Sequence, residues 1–177
     1  MTLSLMKKDT GKRNPWIQLD ISAWSAKEFF EELCHIYLKV EELEEKTRYN
    51  DAVDEKFRKS RMFQRALWIA LIIEIGRLFD TFEKPDKKVI SLKQTEFFRN
   101  PAVKNKVNAI FGHNIISRII HTRNTYTAHI NENKGDVVSV PEICKSNLGE
   151  LLKNMHILIS QFLAYQKNEK AIEAKTP

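Results

Sequence analysis

Residues 66–75 read ALWIALIIEI, a stretch that is apolar on nearly every side of a helix. A helix of this kind is expected to be the most buried helix of its domain, because apolar residues on every face need partners to pack against. We predict that the stretch belongs to a longer helix running from about residue 54 to residue 82. The other helices are then expected to pack around it.

Glu74 is the exception within this apolar stretch. On a helix it shares a face with Leu67, Leu71 and Leu78. A buried carboxylate is costly unless a partner neutralises it or it titrates. Two interpretations follow: a local ion pair with Arg77 three residues later, or a role in a functional site.

The composition favours helices over strands. The chain has 177 residues and 42% hydrophobic content, enough for one buried core, and only 5 Gly and 5 Pro, which favours long regular elements over a turn-rich β architecture. We predict an all-α fold, a single-domain bundle of four to six helices. Its predicted limits are residues 21–166, with a flexible basic segment at 1–20 and a polar tail at 167–177.

Apolar spacing and capping signals predict where the other helices begin and end. Ser25 with Glu28 three residues later has the form of a capping box, so we place the start of the first helix near Ser25. Asn100 before Pro101 gives a cap followed by proline at the first helical position. The predicted helices are residues 25–47, 91–98, 101–111, 114 into the motif described below, and 141–166.

No stretch of the sequence predicts a membrane span, a disulfide or a metal site. The longest apolar run, residues 67–73, is too short to cross a bilayer and the amino terminus does not resemble a secretory signal, so we expect a cytoplasmic protein with no membrane partner. Cys34 and Cys144 lie far apart in the sequence and are expected to be ordinary core or surface residues. Glu32 and His35 have the spacing of a bundle metal ligand pair, yet the motif has no second copy. We therefore predict no metal and no cofactor.

The positive charge is unevenly distributed. There are 29 basic and 23 acidic residues, a formal net charge of +6, and the surplus is concentrated in three clusters. Such patches attract polyanions by steering and counterion release, although solvated faces of ordinary proteins also carry them. The clusters comprise Lys7, Lys8, Lys12 and Arg13; Lys56, Arg58, Lys59, Arg61 and Arg65; and Lys84, Lys87, Lys88, Lys93, Arg99, Lys104 and Lys106.

Residues 119–130, IIHTRNTYTAHI, contain the strongest candidate for chemistry. Isoleucines at 115, 116, 119 and 120 form an apolar stripe that leads directly into Arg123, so the motif lies at the end of a well-packed helix. Positions six apart on an ideal helix point about 240° away from each other. If Arg123 and His129 are to converge, the helix must end or distort between them, and the weak helix formers at 125–127 permit this.

The motif resembles that of the HEPN superfamily, the higher eukaryotes and prokaryotes nucleotide-binding domain. Its signature is Arg, then four to six residues, then His, often with Asn directly after the Arg; Arg123, Asn124 and His129 fit it. Tyr126 and Ala128 look especially like the abortive-infection-protein branch. So does the preceding helix, in which Trp68 is followed by IIEIGRLFD, a charged loop and Ser91. The resemblance covers roughly residues 60–165 and implies a HEPN-type helical bundle.

The resemblance implies a metal-independent ribonuclease, a toxin or phage-defence effector. Neutral His129 would take the proton of a ribose 2′-hydroxyl, Arg123 would stabilise the charge growing on phosphorus, and Asn124 would orient either group. The products would be a 2′,3′-cyclic phosphate and a 5′-hydroxyl, and DNA would be spared. In the family two protomers place their motifs face to face, so the implied partners are RNA and a second copy of the chain.

Further residues are expected to support this site or bind RNA: Glu74, Arg77, Asp80 and Tyr126. In one branch of the family a tyrosine two residues after the His is modified by an antitoxin. Asn131 occupies that position here, which argues against an antitoxin of that kind, although an antitoxin remains a possible partner.

Two alternatives to the enzyme remain open. The domain can be a HEPN module that no longer cuts and serves in RNA binding or dimerisation. The chain can also be a helical interaction protein with an accidental match, in which case Arg123 and His129 point apart.

Overall fold

The computed structural model describes residues 15–47, 51–79, 92, 101–128 and 137–173. Within these ranges the regular structure is helical and contains no strand, which confirms the predicted all-α fold of four to six helices. The six helices are α1 (Pro15–Thr47), α2 (Asp51–Phe79), α3 (Pro101–Phe111), α4 (Asn114–Ala128), α5 (Val140–Lys145) and α6 (Leu148–Glu173).

Helix α1 begins about three turns earlier than predicted. Pro15 occupies its first position, where the missing backbone N–H costs nothing. Leu19, Ala23 and Ala26 are buried, so the apolar stripe continues backwards through a region whose small alanines give a weak signal. The predicted start at Ser25 is therefore wrong, and residues 15–20, predicted to be a flexible segment, belong to the helix.

The core forms where α1, α2, α4 and α6 pack together. Helix α2 contributes the largest share, as its apolar stretch predicts, but Ile69 remains 40% exposed, so the helix is not buried on every side. The α1 stripe through Leu33, Ile36 and Val40 is buried as predicted. The hydrophobic side chains that α2 buries are Leu67, Trp68, Leu71, Ile72, Ile75, Leu78 and Phe79.

The predicted helix over residues 141–166 is two helices, α5 and α6. Ser146 separates them, because its backbone is extended and its hydroxyl donates to the Ile143 carbonyl at 2.6 Å and accepts from the Leu148 N–H at 3.2 Å. A serine that bonds the neighbouring backbone in this way competes with helical hydrogen bonds. Helix α6 then runs to Glu173, into the range predicted to be a polar tail.

Helix α5 is short, and hydrogen bonds at its ends stabilise it in addition to its packing. Ser139 caps it through a capping box with Glu142, and the Glu142 carboxylate also accepts a hydrogen bond from Arg118 of α4 at 2.8 Å. These contacts, led by the one with Arg118, lower the pKa of Glu142 to about 2. Helix α5 is thereby tied to α4, the helix that carries the candidate motif.

The depressed pKa of Glu142 predicts a small acid-dependent loss of stability. Because the folded-state pKa lies below the value of 4.5 for an unperturbed Glu, the contribution is fully present above about pH 4.5 and is lost as the pH falls towards 2. Both side chains are more than a third exposed to solvent, so we expect less than about 1 kcal/mol. Glu142→Gln, which keeps the capping box, should unfold at lower urea than wild type at pH 7 and at nearly the same urea at pH 2.5. An equal difference at both pH values would contradict the assignment.

Candidate functional site

Helix α4 carries the Arg123 motif on a firmly packed base. Ile115, Ile116 and Ile119 are buried in the core and Ile120 packs at its edge, which confirms the predicted isoleucine stripe. The helix remains regular through residues 125–127 and ends at Ala128, one residue before His129. The weak helix formers at these positions therefore do not interrupt it.

The structure describes only part of the predicted site. Arg123 is half-buried, Asn124 is exposed and Thr125 is half-buried, with its hydroxyl donating to the His121 carbonyl at 3.0 Å. His129, Asp80 and the side chain of Tyr126 lie outside the described residues. The convergence of Arg123 with His129 accordingly stays a prediction.

Arg123 lies across α2 at Gly76. A Cβ atom built on Gly76 would stand 2.2 Å from Cδ and 2.8 Å from Nε of Arg123, closer than any real contact. The missing side chain at residue 76 thus provides the space in which the arginine stem packs. Glycine inside a helix lowers the stability of that helix by about 1 kcal/mol relative to alanine. At residue 76 this loss accompanies a close approach between α2 and α4.

The sequence offered one signal for this contact. Gly76 follows the long apolar stretch of α2, and an isolated glycine in a helix often marks a close packing contact.

The charged residues on either side of Gly76 pair with each other. Glu74 and Arg77 form the predicted local ion pair, with Nη1 and Oε1 2.6 Å apart; the Glu74 side chain is 14% exposed and that of Arg77 62%. Their charged groups meet each other, and their support of the motif remains a prediction.

A second contact that the sequence did not predict involves Thr122, the residue before Arg123. Thr122 is fully buried, and its Oγ1 accepts a hydrogen bond from the backbone N–H of Val138 at 3.0 Å. Trp68 of α2 donates its indole N–H to the carbonyl of the same residue at 3.1 Å. Both backbone polar groups of Val138 are therefore satisfied inside the core, as burial requires.

This double hydrogen bond, the Val138 clamp, joins the segment before α5 to both α4 and α2. The clamp places Val138 beside Thr122, the residue that precedes Arg123 on α4.

The second predicted basic cluster is partly neutralised by its own helix. Arg58 pairs with Asp54, and Lys59 pairs with Glu55 at 2.7 Å, each four residues apart on α2. Arg61 lies over the Phe57 ring, 5.5 Å from its centroid. Local partners therefore reduce the positive field that α2 presents. The third cluster retains exposed lysines on α3, namely Lys104 and Lys106.

Metal-binding clusters and membrane-spanning helices are both absent from the described residues. These residues contain no group of three or more His, Cys, Asp or Glu side chains arranged to hold a metal ion. None of the six helices, over the ranges given above, is both long and apolar enough to span a membrane.

Comparison with protein-family models, with curated proteins and with solved structures gives no match for this chain. The resemblance to the HEPN superfamily therefore depends on Arg123, Asn124, His129 and their neighbours in the sequence. The function that it implies is a proposal.

Replacing Thr122 tests the Val138 clamp. Thr122→Val keeps the shape of the side chain but leaves the Val138 N–H buried without an acceptor, which should cost about 1–3 kcal/mol of unfolding free energy. Thr125→Val is the matched control on the same helix, because its hydroxyl only donates to the carbonyl one turn back, and it should cost less than about 0.5 kcal/mol. Urea unfolding followed by circular dichroism measures both. Equal losses in the two variants would contradict a special role for the clamp.

Proposed function

We propose that the chain is a metal-independent endoribonuclease, a toxin or phage-defence effector, that cleaves RNA by attack of the ribose 2′-hydroxyl. The observation that supports this best is the setting of Arg123. Its stem is packed into the space above Gly76, and Asn124 beside it is exposed. A guanidinium whose stem is held by packing loses less conformational freedom when it binds a phosphate.

The proposed chemistry assigns one role to each residue of the motif. His129 removes the proton of the 2′-hydroxyl, and the freed oxygen attacks the adjacent phosphorus. Arg123 stabilises the negative charge that develops on the phosphoryl oxygens, and the amide of Asn124 orients the phosphate or the imidazole. The bond to the 5′-oxygen breaks and that oxygen takes up a proton, which leaves a 2′,3′-cyclic phosphate and a 5′-hydroxyl.

A second copy of the chain completes the site in this proposal. Two motifs facing each other across a two-fold axis would supply a pair of Arg123 and a pair of His129. One imidazole could then act as the base while the other, protonated, supplies the proton to the leaving 5′-oxygen. Exposed lysines on α3, Lys104 and Lys106, are candidates to guide RNA towards the cleft.

A catalytically silent module for dimerisation is the second candidate, and one observation favours it. Ile17, Ile21 and Trp24 recur at helical spacing on α1 and are 49%, 57% and 52% exposed. An exposed apolar stripe of this kind is typical of an association surface. Association through α1 would not by itself require an active motif.

RNA cleavage in excess chelator distinguishes the two functions. Wild type should cut single-stranded or structured RNA and leave 2′,3′-cyclic ends, whereas Arg123→Ala and His129→Ala should each lose at least about 100-fold in rate. Arg118→Ala removes an arginine from the same helix outside the motif and should retain activity.

Gel analysis of labelled RNA measures the rates, and RNA carrying 2′-O-methyl groups should resist cleavage. Intact RNA after incubation with wild type, or equal cutting by all variants, would exclude the enzyme and leave the silent module.

The variant Gly76→Ala tests whether the position of Arg123 affects activity, because it should move the arginine without destabilising the fold. The new Cβ has to displace the arginine stem, so the cleavage rate should fall by at least about 10-fold. Unfolding free energy should stay the same or rise by up to about 1 kcal/mol, because alanine is the better helix former. In Arg123→Ala the same substitution should cause no further loss of activity, since the displaced group is already absent. Full activity in Gly76→Ala would contradict the proposed role of this contact.

A further inference from the structure

A cleft of about 320 Å³ opens where α1, α2 and the first turn of α5 meet. That volume lies at the small end of the range for small-molecule sites. None of the residues that line the cleft belongs to α4, the helix that carries Arg123. The cleft is therefore a separate feature of the fold from the candidate ribonuclease site.

We propose that this cleft binds an alkylguanidinium group, the chemistry of a small guanidine base or of an arginine side chain. The inference does not depend on the proposed ribonuclease function. It rests on a buried amide without a protein partner, on two carboxylates near the end of a helix and on the apolar wall beside them.

Gln64 of α2 is the buried polar residue of the cleft. It is only 5% exposed, and among the described residues its amide has no hydrogen-bond partner. Such burial is costly, because the amide loses hydrogen bonds to solvent and gains none from the protein. The amide atoms are not fully enclosed, and Gln64 lines the cleft. A ligand in the cleft can therefore donate to the amide carbonyl.

Glu41 and Glu44 supply two carboxylates to the cleft from positions three residues apart on α1, where helical side chains are neighbours. Tyr37 donates its hydroxyl to the Glu41 carboxylate and so orients it. Glu44 has no ion-pair partner in the part of the chain that the structure describes. Two carboxylates and one amide carbonyl form a surface rich in acceptors, which favours a ligand that donates hydrogen bonds and carries positive charge.

The position of these carboxylates on α1 also favours a cation. The C-terminal end of a helix carries partial negative charge, so anionic side chains are unfavourable there and a bound cation is favourable. Lys46 is the one basic residue in the last turn of α1. The chain as a whole carries a net charge of +6, so a general attraction for cations would not explain binding at this end. Four glutamates lie in the last two turns, namely Glu41, Glu42, Glu44 and Glu45.

Arg61 lines the cleft from α2 but does not neutralise the two glutamates. Its guanidinium lies over the Phe57 ring, 5.5 Å from the centroid, and forms no ion pair with Glu41 or Glu44. Two carboxylates against one guanidinium leave one negative charge in excess in the lining. A ligand with a single positive charge balances it.

A guanidinium suits this set of groups better than an ammonium. Its planar fork pairs with a carboxylate through two hydrogen bonds, and it stacks on aromatic rings such as that of Tyr37. It is also more weakly hydrated, so it loses less on entering a partly buried site. Val40, Val140 and Pro141 add an apolar wall on which the methylene groups of an alkyl stem can pack.

Calorimetric titration of the full-length protein with n-butylguanidine tests the proposal. We expect one site with a Kd on the order of 1 mM or tighter, and a rise in Tm of roughly 3–6 °C at about 10 times Kd. The uncharged n-butylurea has nearly the same shape and should bind at least about 10-fold more weakly. No binding of n-butylguanidine, or equal binding of the two compounds, overturns the proposal.

Substitutions near the end of α1 show whether the ligand occupies the cleft. Glu44→Gln should weaken binding of n-butylguanidine at least about 10-fold, because it removes a charged acceptor. Glu45→Gln is the matched control, since it removes the same charge from a residue outside the lining, and it should change Kd less than about 2-fold. Gln64→Leu should weaken binding at least about 5-fold through loss of the amide carbonyl. Equal effects of the two glutamate substitutions would place the ligand elsewhere and refute the site.

Arg61→Ala checks that the ligand is recognised as a cation. The substitution removes a competing positive charge from the lining, so n-butylguanidine should bind as tightly as before or up to about 10-fold more tightly. Weaker binding in this variant would contradict the assignment.

Acetyl-arginine amide distinguishes the two sources of the guanidinium. Binding comparable to that of n-butylguanidine identifies an arginine side chain of a protein as an occupant, whereas binding of n-butylguanidine alone identifies a small guanidine base. None of these readouts involves RNA, so a silent ribonuclease site would leave their result intact.

Discussion

The Val138 clamp is the contact on which the arrangement around the motif depends. A short non-helical segment enters a core of helices, and its N–H and carbonyl would each be costly there without partners. Thr122 of α4 supplies the acceptor and Trp68 of α2 the donor. One residue therefore joins two core helices to the start of α5, and through α5 to α1.

Features that depend on local spacing could be predicted from the sequence. The isoleucine stripe of α4, the proline start of α3 and the ion pair between Glu74 and Arg77 each involve residues within a few positions of one another. Short-range geometry of this kind is set by the helix repeat, which the sequence displays directly. For the same reason the all-α architecture followed from composition and periodicity.

Features that depend on contacts between distant segments could not be predicted. The early start of α1 rests on Ala23 and Ala26, whose burial is revealed only by the helices packed against α1. The break at Ser146 occurs because the serine hydroxyl forms a hydrogen bond with the backbone instead of with solvent. Of the candidate site, the sequence supplied Arg123 and Asn124, and an isolated glycine gave one signal for the contact at residue 76. The hydrogen bond between Thr122 and Val138 became visible only in three dimensions.

The close approach of Gly76 and Arg123 has a consequence for how this protein can change over evolution. A side chain at residue 76 would enter the space that Cδ and Nε of Arg123 occupy and would shift the arginine, so a change at one position is expected to affect the other. Related proteins that keep the arginine are expected to keep the glycine. Where the arginine is lost, a better helix former than glycine can replace it at residue 76. The pair should thus vary together in relatives of this chain, with loss of the arginine preceding loss of the glycine.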